Sequence, residues 1–200
     1  VYALDLGEAV LIDCGCGPDW ESLAANMTEA GLAPQALHTL VLTHMHVDHI
    51  GAAPAGVRET GCRVVAHELD AGYIESGDSK RTAAGWYGMR LEPMTVTHRL
   101  EGRGGALEFS GGKLHYLHTP GHTPGSIVCW VDTPDAGRVL FGQDIHGPFS
   151  PDFDSDIGQW RESMDAVLDL DADVLCEGHY GVYHGKDEVR AFIEEQLRSH

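Results

Sequence analysis

The sequence predicts an α/β fold for a single domain over residues 1–200. Short apolar stretches with strand character alternate with amphipathic helical stretches, which is the pattern of mixed α/β domains. Polar residues beside glycines follow several of these stretches, and ligands collect at such strand ends in α/β sheets. A chain of 200 residues, 42% of them hydrophobic, is also long enough to bury one core.

The first part of the chain predicts two strands, a helix and two strand–helix steps. VYALDLGEAVLID predicts two strands joined by a turn at Gly7 and Glu8. DWESLAANMTEAG predicts a helix that begins at Asp19 and ends at Gly31. The apolar strand TLVLT, the helical stretch AAPAGVRETG, the strand RVVAH and a helix from about Glu68 follow.

A long loop is predicted between roughly Ser76 and Arg103, where the periodicity disappears and glycines appear with Trp86 and Tyr87. We expect this loop to cross the surface, either as a lid over the substrate or as a plain connector. Beyond it the sequence predicts the strands GALEFS, KLHYLHT, SIVCWVD and RVLFG. A helix in IGQWRESMDAVLDL, a strand in ADVLCEG and a helix in GKDEVRAFIEEQLRSH complete the order.

Composition narrows the partners and the compartment. Acidic residues outnumber basic ones 31 to 13, and the net charge of −18 argues against nucleic acid or anionic lipid, which recruit Lys and Arg. The five cysteines include no CxxC pattern, which indicates a reduced, cytoplasmic protein. No apolar run approaches about 18 residues and no signal peptide is visible. We expect a small-molecule substrate and no membrane partner, while a homodimer and a missing N-terminal segment stay open.

The stretch LVLTHMHVDHIGA predicts a transition-metal site. His44, His46, Asp48 and His49 directly follow an apolar strand. Neutral imidazole and carboxylate are the usual ligands of zinc and its neighbours, whereas calcium and magnesium sites are built mainly from oxygen. His44 and His46 are two residues apart, so both project to one side of an extended segment. Asp48 and His49 follow at the bend into a helix and can point at a neighbouring position.

Further candidate ligands follow three other predicted strands, each beside glycines that allow a sharp turn. They are His122, Asp144 and His179. The combined set exceeds what one tetrahedral zinc needs. Two ions about 3.5 to 4 Å apart, bridged by a carboxylate and a water, would use all of these ligands.

The order THMHVDH, GH, GQD and GH resembles the signature of the metallo-β-lactamase superfamily, HxHxDH followed by His, Asp and His. LIDCG and HTPGHTPGS match further landmarks of that family. The resemblance implies a four-layer αββα sandwich that binds two divalent transition-metal ions, zinc first, with iron or manganese as alternatives. It assigns His44, His46 and His122 to one ion, Asp48, His49 and His179 to the other, and Asp144 as the bridge. It also implies that Asp13 orients the ligand loop by hydrogen bonds.

Other residues near the predicted site are weaker candidates. His146, two residues beyond Asp144, is a candidate to face the site. Tyr180 and Tyr183 are candidates to reach the substrate from the last ligand loop, with core packing as the alternative. The two cysteines after LID are interpreted as small, partly buried thiols, because the His/Asp set is complete without them. They are Cys14 and Cys16.

The predicted reaction is hydrolysis of a small thioester or lactone. A water that bridges two divalent cations loses a proton near neutral pH, and the same ions polarise the bond under attack. Asp48 is predicted to orient this hydroxide and to carry its proton to the leaving group. Asp144 as the bridge resembles the glyoxalase II and lactonase branches, whereas many true β-lactamases place Cys or Ser near there. We therefore expect β-lactam hydrolysis as a minor activity at most.

Two other functions stay open. A persulfide dioxygenase shares the fold implied by the resemblance and binds a single iron through part of the ligand set, which makes an oxidoreductase the alternative. A metal-binding or scaffold protein without turnover is the other. Metal analysis discriminates among them. Two ions per chain support hydrolysis, one iron with oxygen consumption on glutathione persulfide supports the dioxygenase, and tightly bound metal without turnover supports a binding role.

Overall fold

The computed structural model describes residues 1–17 and 19–200. These residues divide into two compact units, here called the first unit (1–101 with 108–112) and the second unit (102–107 with 113–200). The prediction that the whole chain forms a single domain stays a prediction.

The first unit contains a sheet that is parallel apart from its first hairpin. Its strands are β1 (Tyr2–Asp5), β2 (Ala9–Ile12), β3 (Leu37–Val41), β4 (Arg63–His67) and β5 (His98–Leu100), in that spatial order. β1 and β2 pair antiparallel, and β2 to β5 run parallel. β3 is buried at four of its five positions, as parallel strands usually are. The segment after β3, which carries the candidate ligands from His44 to His49, therefore starts from a buried strand.

The helices of the first unit begin and end at residues that the sequence marks. They are α1 (Trp20–Glu29), α2 (Val47–Ile50), α3 (Ala53–Thr60) and α4 (Glu68–Ser76). α1 begins after Asp19, whose carboxylate accepts a hydrogen bond from the Ser22 backbone N–H at 3.0 Å. α3 ends at Gly61 and α4 at Gly77, both in the left-handed conformation that glycine adopts easily.

The second unit contains a largely antiparallel sheet. Its strands are β6 (Gly104–Phe109), β7 (Gly112–His118), β8 (Ile127–Thr133), β9 (Gly137–Gly142), β10 (Val174–Glu177) and β11 (Val182–His184), and its helices are α5 (Ile157–Leu168) and α6 (Lys186–Ser199). The end of β6 and the start of β7, within residues 108–112, count with the first unit. The spatial order is β11-β10-β9-β8-β7-β6. β9 and β10 run parallel, so the loops after them leave the sheet at the same edge.

The core of the second unit fixes the loop after β7. Trp160 of α5 is 1% exposed and packs in one cluster with Leu140 and Leu175. Gly121 adopts φ 138°, and a Cβ atom there would lie 2.3 Å from Cβ of Trp160. Only glycine fits so close to Trp160. The packing of the core therefore fixes the backbone position of the next residue, His122.

The predicted helices and strands are present, and two further strands were missed. β5 lies inside the predicted loop 76–103, so the irregular segment is shorter, at 77–97. β11 follows the last candidate ligand. Each is three residues long, which is too short for an alternating pattern to stand out. Across residues 1–17 and 19–200, none of the helices combines the length and apolar character needed to cross a membrane.

Candidate metal-ligand sets

The first donor set lies on the segment that joins β3 to α2 and consists of His44, His46, Asp48 and His49. Its three imidazoles are buried, with exposed fractions of 1%, 3% and 4%. The centroid of the His44 ring lies 4.8 Å from that of His46 and 4.3 Å from that of His49. The structure thus brings these rings together in the first unit, in a place that water hardly reaches.

Asp13 holds this segment by three hydrogen bonds. It directly follows β2, is 1% exposed and has φ 57°, a left-handed conformation that Asp tolerates better than most residues. Its Oδ1 accepts from the Thr43 backbone N–H at 2.8 Å, and its Oδ2 accepts from the Thr43 hydroxyl at 2.7 Å and from His49 Nδ1 at 2.8 Å. Such contacts are those expected of a residue that orients the ligand loop, and the role of Asp13 in metal binding stays a prediction.

The hydrogen-bond partners determine which ring nitrogen of His44 and His49 carries the proton. A carboxylate only accepts, so Nδ1 of His49 is protonated. The Thr43 hydroxyl gives its single proton to Asp13, so at 3.1 Å it accepts from Nδ1 of His44. In both rings Nε2 therefore carries a lone pair, which is the form that binds a metal ion.

Asp48 contacts a residue of the predicted lid or connector. Its side chain, 14% exposed, lies in the first turn of α2 with Oδ2 3.8 Å from Nε2 of His49. The same Oδ2 accepts a hydrogen bond from the Tyr87 hydroxyl at 3.1 Å. Tyr87 and Trp86 are 50% and 58% exposed. Both aromatics stand out in the sequence, but their contact with Asp48 was not predicted, because contacts made by loops leave no periodic signal.

Asp70 is a further buried carboxylate beside the first donor set, and its role was not predicted from the sequence. It is fully buried in the first turn of α4 and accepts a hydrogen bond from the Met45 backbone N–H at 3.0 Å. Met45 stands between two candidate ligands, so Asp70 fixes the backbone that carries them. An acidic residue in the first turn of a helix is usually exposed to solvent, where it interacts with the positive end of the helix. For this reason nothing in the sequence indicated that Asp70 is buried.

The second donor set lies in the second unit and consists of His122, Asp144 and His179. His122 is 3% exposed, and its Nδ1 donates a hydrogen bond to the Pro148 carbonyl at 2.8 Å. A carbonyl oxygen only accepts, so Nε2 of His122 also carries a lone pair. The Ser155 hydroxyl donates to the His122 carbonyl at 2.7 Å and fixes its backbone.

Asp144 brings the second donor set together. It follows β9, is 3% exposed and has φ 50°, so it shares with Asp13 the combination of strand end, burial and left-handed backbone. Its Oδ2 lies 3.5 Å from Nε2 of His122, and its Oδ1 lies 3.1 Å from Nε2 of His179. Backbone conformations of this kind cost on the order of 1–3 kcal/mol and cluster at functional sites.

Glu177 positions the loop of His179, which was not predicted from the sequence. It is 1% exposed at the end of β10. Its Oε2 accepts from the backbone N–H groups of His179 at 2.6 Å and Tyr180 at 2.9 Å. Its Oε1 accepts from Nδ1 of His146 at 2.6 Å. His146 was a candidate to face the site, and its ligand atom lies within 4.8 Å of those of Asp144 and Glu177. The sequence feature that could have indicated this role is the presence of a glutamate inside the apolar run VLCEG.

The remaining candidates lie beside these sets. Tyr180 is 61% exposed, whereas Tyr183 packs on Phe192 with ring centroids 4.4 Å apart. Cys14 is buried and Cys16 is exposed. Burial, and then the charge of Asp13, raises the pKa of the Cys14 thiol well above its usual range. Partial burial, and then the charge of Asp48, raises the pKa of the Cys16 thiol. Both thiols stay protonated near neutral pH, when they are poor metal ligands.

The chemistry of both donor sets fits a divalent transition-metal ion. In each unit an Nε2 lone pair lies close to a carboxylate oxygen, for His49 and Asp48 at 3.8 Å and for His122 and Asp144 at 3.5 Å. Two such acceptors repel each other unless a proton or a cation lies between them. Two ligand atoms on one tetrahedral zinc, at about 2.1 Å each, lie roughly 3.4 Å apart. The observed separations are close to that value.

Known proteins resemble this chain in sequence over most of its length. The family model described as the Metallo-beta-lactamase superfamily matches residues 1–179. The chain is similar to Probable metallo-hydrolase YqgX of Bacillus subtilis, with 31% identity over 131 residues, which is 62% of this chain and 58% of YqgX. It is also similar to Probable metallo-hydrolase YybB of the same organism, with 25% identity over 190 residues, 89% of this chain and 78% of YybB.

The fold resembles solved structures over nearly the whole chain. The metallo-beta-lactamase GOB-18 from Elizabethkingia meningoseptica aligns with a TM-score of 0.78 and 21% identity, over 96% of this chain and 79% of that one. At this identity the likeness concerns the fold alone. The predicted fold class, mixed α/β with two sheets and helices, is confirmed.

Proposed function

Since this chain belongs to the metallo-beta-lactamase superfamily, we propose that it is a metal-dependent hydrolase of small thioesters or lactones. We further propose that it binds two divalent transition-metal ions, zinc first, through the two donor sets. One observation carries the proposal. In each unit a buried imidazole donates its Nδ1–H to a protein acceptor and presents its Nε2 lone pair to a carboxylate. The net charge of −18 supports a small-molecule substrate.

The assignment of ligands follows the family order. His44, His46 and His122 would hold one ion, Asp48, His49 and His179 the other, with Asp144 shared. The family match covers residues 1–179 and so includes every one of these positions. Bound ions would supply Lewis acidity and lower the pKa of water. The protein residues hold the ions and orient the reactants.

The reaction consumes one water. The water oxygen bonds to the carbonyl carbon of the substrate, the bond from that carbon to sulfur or ring oxygen breaks, and one water proton ends on the departing atom. Asp48 is the residue suited to carry this proton, because its carboxylate is only 14% exposed and adjoins the imidazole of His49. The Tyr87 hydroxyl donates to Oδ2 of Asp48 and thereby holds the carboxylate plane in place.

The preference for thioesters and lactones rests on Asp144. An Asp at the bridging position resembles the glyoxalase II and lactonase branches of the family. The solved β-lactamase that this chain resembles shares 21% identity with it, so it carries no argument for a β-lactam substrate. A β-lactam nevertheless belongs in the test, as does glutathione persulfide for the alternative with one iron.

The test compares wild type with Asp48→Asn after reconstitution with zinc, manganese or iron. The substrates are a thioester, a lactone, a β-lactam, a phosphodiester and glutathione persulfide. We expect two ions per wild-type chain by elemental analysis, and hydrolysis of the thioester or lactone. Asn keeps the shape of Asp48 but loses the proton acceptor, so kcat should fall by about a hundredfold to ten-thousandfold with the circular dichroism unchanged.

Asp19→Asn is the matched control, because it removes the same charge at a helix N-cap where Asn serves equally well. It should leave metal content and activity as in wild type. A wild-type protein that binds no metal after reconstitution would contradict the ligand assignment. Oxygen consumption on glutathione persulfide with one iron per chain would replace hydrolysis by the dioxygenase function.

A further inference from the structure

A groove on the second unit runs along α6, with a volume of about 390 Å³. It is lined by Tyr180, Tyr183, Glu188, Ala191, Phe192, Glu195 and Gln196. Glu188, Phe192 and Glu195 recur at spacings of four and three residues, so they share one face of the helix. That helix face forms one wall, and the loop and strand after His179 supply the tyrosines.

Aromatic rings form the floor of this groove. The Phe192 ring lies 4.4 Å from that of Tyr183 and 6.0 Å from that of Tyr180. Phe192 belongs to the hydrophobic core of the second unit and Tyr183 packs against that core, so both rings are fixed. Tyr180 is 61% exposed and leaves its ring accessible. Aromatic faces attract organic cations through the ring quadrupole.

The rim of the groove is acidic. Its lining includes the carboxylates of Glu188 and Glu195 and no basic residue. The pKa of the Tyr183 hydroxyl is raised, first by burial and then by the charges of Glu177 and Glu195, which agrees with a negative potential here. Glu194, which precedes Glu195 on α6, does not line the groove. Its carboxylate lies 3.8 Å from the Arg198 guanidinium instead.

The groove begins directly beside the second donor set. Tyr180 follows His179 in the chain, and Glu177 accepts hydrogen bonds from the backbone N–H groups of both. The Tyr180 ring lies 4.8 Å from that of His146, which lies 5.4 Å from that of His179. One buried carboxylate therefore positions a candidate metal ligand together with the aromatic end of the groove.

We propose that this groove binds an alkylammonium group, such as trimethylammonium, at one end of the substrate. The inference rests on the proposed hydrolase function and narrows its substrate class to thioesters or lactones that carry a cation. The acidic rim complements a positive charge, and the aromatic floor suits an alkylated one. Glutathione carries more carboxylate than ammonium groups, so the same rim disfavours glutathione thioesters.

The kinetic test uses zinc-reconstituted protein and acyl thioesters that differ only at the far end of the acyl chain. The ends are trimethylammonium, its neutral isostere tert-butyl, and carboxylate. We expect kcat/KM for the cationic thioester to exceed that for the neutral one by a factor of about 3 to 30, from the usual strength of a cation–aromatic contact. The carboxylate should be the poorest substrate.

Matched double variants separate the groove from the overall charge. E188Q/E195Q should bring the ratio of cationic to neutral kcat/KM towards one. D187N/E194Q removes the same charge from the same helix outside the groove lining and should leave the ratio as in wild type. An equal fall in both double variants would assign the preference to long-range charge and overturn the proposal.

A binding test does not depend on turnover. Choline and its neutral isostere 3,3-dimethylbutan-1-ol are titrated against the protein while the tyrosine ring signals are followed by NMR. Choline should bind more tightly, and E188Q/E195Q should reduce the difference, because the aromatic rings remain. If thioesters are hydrolysed at rates that do not depend on their charge and choline does not bind, the groove proposal is wrong and the proposed hydrolase function stands. If choline binds in a way that depends on Glu188 and Glu195 but no thioester or lactone is hydrolysed, the proposed function is wrong and the groove proposal stands.

Discussion

Replacing Asp13 by Asn should lower metal affinity about 10- to 100-fold in a protein that remains folded. The change exchanges one carboxylate oxygen for an amide nitrogen at a residue that is 1% exposed. Asn tolerates the left-handed φ of 57° as Asp does, so the backbone contributes no penalty. If the amide oxygen keeps the Thr43 N–H, the new NH₂ group meets two donors, the Thr43 hydroxyl and Nδ1 of His49.

The conflict is relieved if the imidazoles change tautomer. The Thr43 hydroxyl can turn and donate to Nδ1 of His44, and His49 can accept from the amide. Both rings then carry their proton on Nε2, the atom that should bind the ion. A hydrogen bond to a charged group contributes about 1.5–3 kcal/mol and a neutral one about 0.5–1.5, so each weakened bond costs about 1–1.5 kcal/mol and three cost roughly 3–4.5 kcal/mol. Loss of an outer partner costs metal affinity about 10- to 100-fold.

The measurements treat stability and affinity separately. Urea unfolding of the metal-free protein gives the change in the free energy of unfolding. Competition with a chromophoric chelator gives the zinc affinity, and ring ¹⁵N chemical shifts report the tautomers of His44 and His49. Asp5→Asn is the matched control, because Asp5 is exposed and accepts one turn hydrogen bond from Gly7. It should behave as wild type in each assay.

The tautomers of His44 and His49 decide whether Asp13 acts in this way. If Asp13→Asn loses stability as expected but both rings keep the proton on Nδ1 and zinc binds as in wild type, the hydrogen bonds of Asp13 do not set the tautomers. An unchanged stability would show that these bonds are not charge-assisted. A variant that fails to fold is replaced by Thr43→Val, which removes only the hydroxyl that links Asp13 to His44.

Three further substitutions test the contact of Asp48 with Tyr87, the loop that carries Trp86, and the contacts of Glu177. Tyr87→Phe removes a half-exposed hydrogen bond to Asp48, so kcat should fall only about two- to tenfold, while Trp86→Ala should raise KM more than it lowers kcat if the loop covers substrate. An unchanged KM across thioesters and lactones would make the loop a connector. Glu177→Gln leaves one acceptor oxygen for three N–H donors, which should lower the free energy of unfolding by about 1–3 kcal/mol. Because the loop of His179 then loses its support, binding of one ion, measured by chelator competition, should weaken. Full retention of both ions would contradict that role.

The candidate ligands could be predicted because their residue types and strand-end positions are visible in the sequence. His44, His46 and Asp48 follow one apolar strand at spacings that a loop ligand set requires, and the burial of the imidazoles agrees with that interpretation. The strands themselves were predictable for the same reason, since apolar runs bounded by glycines have few alternatives. The short β5 and β11 were not, because three residues carry no pattern.

The hydrogen bonds that prepare the ligands could not be predicted in the same way. Thr43 looks like an ordinary β-branched strand residue, yet its hydroxyl connects Asp13 to His44. Tyr87 reaches Asp48 from a loop 39 residues further along the chain. Such contacts depend on how elements pack, and neither spacing nor periodicity encodes a partner at that separation.

Asp13 and Glu177 show the limit most clearly, because they act alike and only one was predicted. Each is a buried carboxylate at a strand end, and each accepts from an imidazole Nδ1 and from the backbone of a ligand loop. Asp13 stands in LIDCG, a recognised landmark of the family, whereas Glu177 stands in an apolar strand that predicts only a core position. A buried carboxylate without donors would be costly, so the burial of a glutamate in VLCEG itself requires a cluster of N–H groups nearby. Because His179 follows two residues later, its loop is the nearest source of those donors. The same reasoning, applied to every acid inside an apolar strand before the structure is known, would have found the residue that positions the loop of the last candidate ligand.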